Sequence, residues 1–221
     1  MTAKRVFLIH ATPLSMALIT EAFHRLWPEA QLSNLLDDSL PKDLAAAGRL
    51  TEGLTARFLD LARYAEAAGA DAILFTCSAF GTAIEACKHA VSIPVLKPNE
   101  AMIDDALRQT SRIALMATFE PSIGSMLEEF NAAALALGRV LDINAHWVPG
   151  AFGALQAGDG ETHDVKIAEM AKETGNCEVI CFAQFSMTSA AHGAQAASGR
   201  PVLTTPDSAV IRLRKILDPL R

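Results

Sequence analysis

The chain has 221 residues, and its composition, 51% hydrophobic and 20% charged, provides enough apolar surface to bury a core and excludes intrinsic disorder. Its formal net charge of −6 gives no general attraction for phosphate backbones or anionic membranes, so we expect neither a nucleic-acid nor a membrane partner. The length is compatible with one large domain or two small ones.

The start of the chain combines a basic pair, Lys4-Arg5, with the short apolar run Val6–Ile9. A secretory signal is a poor interpretation, because His10 and Thr12 interrupt the run and no small-residue cleavage site follows. No stretch approaches the roughly 18 apolar residues of a membrane-spanning helix. We therefore expect a cytoplasmic protein.

Short apolar runs rich in branched residues alternate with longer alanine-rich helical stretches along the whole chain. This alternation predicts parallel sheets with helices on their faces, that is, an α/β fold. Strands are predicted at Arg5–His10, Gln31–Leu36, Ala72–Thr76, Pro94–Leu96, Arg112–Ala117, Val140–Val148, Val179–Ala183 and Pro201–Thr204.

The two halves of the sequence are similar to each other when they are aligned at one constant spacing, which places Arg5 on Arg112. This spacing is called the repeat offset below. At the repeat offset the first, third and fourth predicted strands fall on the fifth, seventh and eighth, and Pro94 falls on Pro201. Unrelated strand–helix units also share apolar strands, but an ungapped register with a repeated proline favours a true internal repeat.

The repeat predicts two pseudo-symmetric α/β domains, each a mostly parallel β-sheet flanked by helices. We assign residues 1–98 and 207–221 to the first domain and residues 99–206 to the second. Because ligands of open α/β sheets bind at the carboxyl ends of the strands, we expect the active site in a cleft between the domains. The residues that follow the predicted strands are therefore the candidates for function.

One of the four cysteines stands at such a position. Cys77 follows the third predicted strand and precedes a helical stretch, where backbone N–H groups and the helix dipole lower a thiol pKa and attract a carboxylate. Alternatively, Cys77 is simply a small buried hydrophobic residue. That interpretation is the better one for the other three cysteines, Cys87, Cys177 and Cys181. The cysteine spacings match no zinc motif and the glycine-rich segment 149–160 matches no nucleotide-binding motif, so we predict neither a metal nor a cofactor.

The repeat places Gln184 at the position equivalent to Cys77, directly after the seventh predicted strand. A glutamine amide can hydrogen-bond a carbonyl or a carboxylate, but it cannot accept a proton at neutral pH. The second half therefore lacks a base at this position.

Four further polar residues follow predicted strands, and each has two interpretations. His10 either assists proton transfer and favours a thiolate, or is a half-buried histidine with satisfied hydrogen bonds. The hydroxyls of Thr12 and Thr118 either contact a substrate carboxylate or cap helices. Lys97 either anchors a carboxylate and favours the Cys77 thiolate, or is simply solvated.

At these residues the sequence resembles the aspartate/glutamate/hydantoin racemase superfamily over nearly its whole length. The segment Gly69–Ser78 is similar to the first cysteine motif of that family, Arg112–Thr118 to the strand that opens its second half, and Val179–Met187 occupies the position of its second cysteine motif. The resemblance implies an enzyme without a cofactor, in which one thiolate takes a proton from a carbon next to a carboxylate or carbonyl and a second thiol returns it. Dimers are common in that family, so a homo-oligomer is compatible with the resemblance.

The sequence departs from the family where Gln184 replaces the second cysteine. We therefore expect an isomerase, of the racemase or thiolate-addition type, that acts on a small carboxylate or cyclic amide with Cys77 and Gln184 as catalytic residues. The residues expected to bind substrate are His10, Thr12, Thr76, Ser78, Ala79, Lys97, Thr118, Phe185 and Ser186. Two alternatives stay open: a one-thiol decarboxylase of substituted malonates, although such relatives keep the second cysteine rather than the first, and a non-catalytic protein that binds small carboxylates.

Overall fold

The structure is a computed structural model that describes residues 3–218. The chain separates into two compact units, one formed by the chain up to Ala101 together with the part from Ala209 onward, and the other by Met102–Ser208. Both boundaries fall inside helices. No helix among the described residues is long and apolar enough to cross a membrane.

The first unit is built on a parallel sheet of four strands in the order β2-β1-β3-β4. The strands are β1 (Arg5–His10), β2 (Gln31–Leu36), β3 (Ala72–Phe75) and β4 (Val95–Leu96), and the helices of this half of the chain are α1 (Leu14–Leu26), α2 (Leu40–Ala47), α3 (Glu52–Ala67), α4 (Gly81–Ala90) and α5 (Glu100–Gln109). The central strands β1 and β3 are buried over almost their whole length, which explains their continuous apolar sequences.

The second unit has a parallel sheet of four strands in the order β6-β5-β7-β8. Its strands are β5 (Arg112–Ala117), β6 (Asp142–Trp147), β7 (Val179–Phe182) and β8 (Val202–Thr204), and the helices of this half are α6 (Ser122–Ala136), α7 (Ala151–Gln156), α8 (Gly160–Lys172), α9 (Ala191–Ser198) and α10 (Thr205–Leu217). The α/β fold expected from the alternating pattern is thus confirmed.

The pairing of the central strands repeats at the repeat offset. Val6 pairs with Ala72 in the first sheet, and their equivalents Ile113 and Val179 pair in the second. The edge strands depart from this rule: the first residue of β2, Gln31, falls on Gly138, whereas β6 begins only at Asp142. The central strands therefore keep the repeat, whereas the connection to the edge strand is longer in the second half.

All eight predicted strands are present, and their bounds differ by small amounts. The three that match completely are β1, β2 and β5, and the other five are slightly shorter than predicted. Pro94 and Pro201 lie just outside β4 and β8, because proline has no N–H to donate to a ladder. Each proline carbonyl nevertheless accepts a backbone bond from the neighbouring strand, at 2.8 and 3.0 Å respectively.

Phenylalanine side chains fill the core of the first unit beside the end of β3. The ring of Phe58 lies 5.3 Å from that of Phe75 and 4.7 Å from that of Phe80, measured between centroids. Phe80 is fully buried and belongs to the short 3-10 turn Ser78–Phe80 that connects β3 to α4. Its burial anchors this turn, which positions the residue directly before it.

Candidate functional site

Cys77 directly precedes the 3-10 turn Ser78–Phe80 and lies at the carboxyl end of the first sheet. Its backbone is still extended, with φ −128° and ψ 119°, although the ladder of β3 already ends at Phe75. The side chain is partly buried, while the following Ser78 and Ala79 are exposed. The fold therefore places the thiol at the boundary between the core and the surface.

Burial raises the pKa of the Cys77 thiol, and a hydrogen bond from the Ala79 N–H opposes this effect only in part. Cys77 borders a small apolar crevice that is lined also by Ile9, His10, Ala11, Leu40, Phe58 and Phe75. The expectation that the start of a helix lowers this pKa is therefore wrong, because desolvation by apolar neighbours is the larger effect. Burial therefore disfavours the thiolate form of Cys77.

His10, the last residue of β1, is fully buried and has partners on both ring nitrogens. Its Nε2 lies 2.9 Å from Oδ1 of Asn34, and its Nδ1 lies 2.8 Å from Oγ1 of Thr76 and 3.1 Å from Oγ of Ser15. Because a carboxamide oxygen only accepts, Nε2 carries the proton and Nδ1 accepts from a hydroxyl. His10 thus has no ring nitrogen free for a substrate, which agrees with its interpretation as a satisfied histidine.

The surroundings of His10 disfavour its charged form. Burial lowers its pKa, and the hydrogen bond to Asn34 opposes this effect. Ser15 and Asn34 complete the network but were not predicted from the sequence. The only sequence signal is for Ser15, a polar residue at a buried position of α1, whereas Asn34 lies at an exposed position of β2 and gives no such signal.

Three other predicted residues of the first unit, Thr76, Thr12 and Lys97, have partners within the protein. Thr76 is buried, and its Oγ1 lies 2.9 Å from Oγ of Ser15. Oγ1 of Thr12 accepts a long hydrogen bond, 3.4 Å, from the N–H of Leu14, the first residue of α1. Nζ of Lys97 lies 3.3 Å from a carboxylate oxygen of Glu85 on α4, so its ion-pair partner is not the Cys77 sulfur.

Gln184 occupies the end of β7 as Cys77 occupies the end of β3. Its backbone is also extended, and a 3-10 turn, Phe185–Ala190, follows it. Its Oε1 accepts hydrogen bonds from the backbone N–H of Thr118 at 2.9 Å and from the Thr118 hydroxyl at 3.3 Å, and its Nε2 donates to Oγ of Ser122. The carboxamide therefore joins the end of β7 to the end of β5 and the start of α6.

The two units have a serine at one equivalent position, but the residue that it contacts differs. Ser15 falls on Ser122 at the repeat offset, and each contacts a side chain at the end of its unit's third strand. The second unit has Ala117 and Ala183 at the positions of His10 and Thr76, so it has no histidine network there. The first unit thus holds a thiol beside a buried histidine, and the second holds an amide that its neighbours satisfy.

Phe185 and Ser186 follow Gln184 and are both half-buried. The carbonyl of Phe185 accepts a hydrogen bond from the Thr188 hydroxyl at 2.7 Å, which stabilises the 3-10 turn. The turn brings these two residues to the same edge of the sheet as Gln184.

The remaining cysteines are buried, as predicted. Burial raises the pKa of Cys87 to about 11 and shifts that of Cys181 further in the same direction. Cys177 lies 3.5 Å from the Thr174 hydroxyl, which it contacts as a weak donor. Within residues 3–218, no three His, Cys, Asp or Glu side chains are grouped so that they could hold a metal ion.

Comparison with known proteins identifies the chain's relatives. Residues 10–213 match the family model described as Asp/Glu/Hydantoin racemase. No curated protein matches the sequence.

Solved structures of similar fold cover nearly the whole chain. An aspartate racemase homologue from Pyrococcus horikoshii superposes with a TM-score of 0.75 at 15% identity, over 97% of this chain and 99% of its own. A glutamate racemase isoform from Bacillus anthracis gives a TM-score of 0.71 at 13% identity, over 99% and 83%. An arylmalonate decarboxylase gives 0.65 at 16% identity, over 99% and 94%. At these identities the likeness is one of fold.

Proposed function

Because the chain belongs to the Asp/Glu/hydantoin racemase family, we propose that it is an isomerase in which Cys77 alone moves a proton at a carbon next to a carboxylate or carbonyl. The observation that supports this proposal is the position of Cys77: it is the partly buried thiol at the carboxyl end of the first sheet, where ligands of such sheets bind. The equivalent residue of the second unit, Gln184, cannot exchange a proton.

The proposed step uses the Cys77 sulfur as both base and acid. The thiolate takes the proton from the α-carbon, which leaves a neutral thiol and an enolate-like substrate, and the thiol then returns a proton to that carbon. The N–H of Ala79 already donates to the sulfur and stabilises its anionic form. Forming the thiolate costs about 1.4 kcal/mol more for every tenfold by which burial weakens the acidity of the thiol. Substrate binding must offset that cost.

A single thiol reaches only one face of the planar intermediate. Solvent deuterium entering through Cys77 is therefore incorporated with retention of configuration, and inversion requires protonation from the opposite face by water or by another group. We expect α-hydrogen exchange to be faster than racemisation, by tenfold or more.

The experiment is NMR of α-hydrogen exchange in D2O over a panel of amino acids, hydantoins and dicarboxylates, with chiral analysis of the recovered substrate. Cys77→Ala should abolish exchange, and Cys77→Ser should reduce it by at least about a hundredfold, because an alcohol is a far weaker acid than a thiol. Cys177→Ala serves as the matched control, because Cys177 does not lie at the carboxyl end of a strand. Full activity in Cys77→Ala on any substrate would overturn the mechanism.

A decarboxylase is the second candidate, and the raised pKa of Cys77 favours it. Loss of carbon dioxide from a substituted malonate leaves a carbanion that needs one proton. A neutral thiol donates that proton, and the resulting thiolate regains one from solvent. Release of carbon dioxide from malonates without exchange on amino acids or hydantoins would select this reaction. Ligand-induced stabilisation without turnover would instead indicate the non-catalytic alternative.

A further inference from the structure

The helix α2 is joined to the core of the first unit by one fully buried side chain. Leu40, its first residue, is buried, Leu44 is partly buried, and the other six residues of the helix are exposed. Leu40 is also the residue of α2 that lines the apolar crevice beside Cys77. The position of this helix therefore decides whether the crevice keeps that part of its apolar wall.

An arginine of the neighbouring helix binds the segment that begins α2. On α3, the guanidinium of Arg57 donates to carboxylate oxygens of Asp37 and Asp43. It also donates to the Ser39 hydroxyl at 2.6 Å, which in turn donates to Asp37 at 2.7 Å. These four residues are called the Arg57 clamp below. The clamp brackets Leu40, because two of its residues precede Leu40 in the segment and one follows it.

The Arg57 clamp is tied to the elements that form the crevice. The backbone N–H of Asp37 donates to the carbonyl of His10, the last residue of β1, at 3.0 Å. The residue that follows Arg57 in α3 is Phe58, whose ring packs against Phe75 and lines the same crevice. The clamp therefore fixes the start of α2 relative to β1 and α3, which both contribute to the wall around the thiol.

The second unit folds without such a clamp. At the repeat offset, Arg57 falls on Asp164 of α8, which contacts the adjacent His163 at 2.7 Å. By the register of the edge strands, Leu40 falls on Ala151, the first residue of α7. The architecture that the two units share therefore requires neither the arginine nor the leucine. Both are found in the unit that carries the thiol at a strand end.

The start of α2 depends on Arg57 for its charge balance. Asp37 and Asp43 both bind the guanidinium, and Asp38 lies between them in the chain. The side chains of Arg57 and Asp37 are only 34% and 25% exposed, so solvent screens their attraction less than that of a fully exposed pair. Without the guanidinium, the carboxylates repel one another, and Leu40 is the main contact that still holds the helix.

We infer that Arg57 is a positioning residue for Cys77: the clamp holds Leu40 against the crevice and so controls how far water and reagents reach the thiol. The inference concerns the site of the proposed function and rests on that proposal for its catalytic meaning. Its test needs no substrate, however, so its failure is distinguishable from a failure of the proposed chemistry.

The rate at which iodoacetamide alkylates Cys77, followed by mass spectrometry, tests the inference. Arg57→Ala should raise this rate at pH 7 at least fivefold, because hydration of the thiol favours the thiolate that reacts. The increase of the rate with pH should also move to lower pH, which a purely structural role of Arg57 would not produce. Arg57→Lys keeps a positive charge but lacks the planar fork of N–H donors, and it should give an intermediate rate.

The other groups around the crevice do not obscure this pH profile. His10 is the other titratable residue that lines the crevice, and burial lowers its pKa, so its titration lies below pH 7. Asp37 and Asp43 of the clamp and Glu85 of α4 are carboxylates, which titrate far below pH 7. A shift of the profile above pH 7 therefore reports the Cys77 thiol.

A second pair of variants tests whether Arg57 acts through Leu40. Leu40→Ala should raise the Cys77 alkylation rate in the same direction as Arg57→Ala does. Adding Arg57→Ala to Leu40→Ala should then change the rate by less than twofold, because the side chain that the clamp positions is already absent. If the two effects multiply in the double variant, the inference is wrong.

Two controls separate a local opening at Cys77 from unfolding. Cys87 is fully buried in α4, so its alkylation in the same sample reports unfolding of the unit. Arg63→Ala removes an arginine of α3 that pairs with Asp60 at the surface, and it should leave the Cys77 rate unchanged. A Cys77 rate within twofold of wild type in Arg57→Ala, or equal increases at Cys77 and Cys87, would overturn the inference.

Discussion

The side-chain oxygen of Gln184 lies 2.9 Å from the backbone nitrogen of Thr118. The residue that replaces a second thiol is thus hydrogen-bonded to the neighbouring strand of its own sheet. Its amide also reaches Ser122 at the start of α6. In the second unit, a position where the resembled family has a reactive group has become part of the framework.

Replacing Gln184 should therefore destabilise the protein. Gln184→Ala leaves the N–H and the hydroxyl of the buried Thr118 without their acceptor, which costs about 1–3 kcal/mol. The free energy of unfolding, measured by urea titration, should fall by this amount. Ser186→Ala alters a half-buried residue two positions along the chain, leaves the contacts of Gln184 in place and should lower this free energy by less than Gln184→Ala does. An unchanged free energy of unfolding in Gln184→Ala would show that these hydrogen bonds make no net contribution to stability.

Introducing a thiol at the same position should change the stereochemistry of the reaction. Gln184→Cys supplies a second proton donor at the residue equivalent to Cys77. The ratio of racemisation to α-hydrogen exchange, measured by chiral chromatography and NMR on one sample, should rise at least tenfold. The double variant with Cys77→Ala should lose this gain. A ratio that stays low in Gln184→Cys would mean that the introduced thiol does not reach the substrate.

The raised pKa of Cys77 predicts the pH dependence of its reactivity. The thiolate is the nucleophile, and burial shifts its formation to a higher pH than the usual value of about 8.5. Alkylation by iodoacetamide, followed by mass spectrometry, should be slow at pH 7 and still rising at pH 9. A rate that reaches its plateau below pH 8 would contradict the raised pKa.

His10 should make the protein less stable in acid. Its pKa is lowered on folding, so its neutral form contributes stability that is present above the unfolded pKa of about 6.5 and is lost as pH falls through the folded value. The melting temperature should therefore decline below pH 6.5. His10→Gln keeps a neutral polar group and should weaken this decline.

The exposed His24 provides the control for that comparison, since His24→Gln should leave the decline of the wild-type protein in place. Burial also lowers the pKa of His146, so His146 contributes part of the decline in melting temperature. Some of this decline should therefore remain in His10→Gln. An identical pH profile in wild type and His10→Gln would contradict the role assigned to His10.

Local patterns in the sequence were sufficient to predict the α/β class, the eight strands and the internal repeat. They succeed because a buried parallel strand must be apolar throughout, and because the repeat offset from Arg5 to Arg112 preserves strand pairing as well as residue type. The positions of Cys77 and Gln184 at strand ends follow from the same patterns.

Only the tertiary structure decided the chemical state of these residues. The Cys77 pKa depends on apolar side chains from other elements, among them Phe58, and desolvation by them exceeds the local effect of the helix start. The partners of His10 and Gln184, such as Thr76 and Thr118, are distant along the chain, so no local pattern could reveal that both side chains are already satisfied. Sequence thus determined which residues follow the strands, and packing determined which of them are desolvated and which are hydrogen-bonded within the fold.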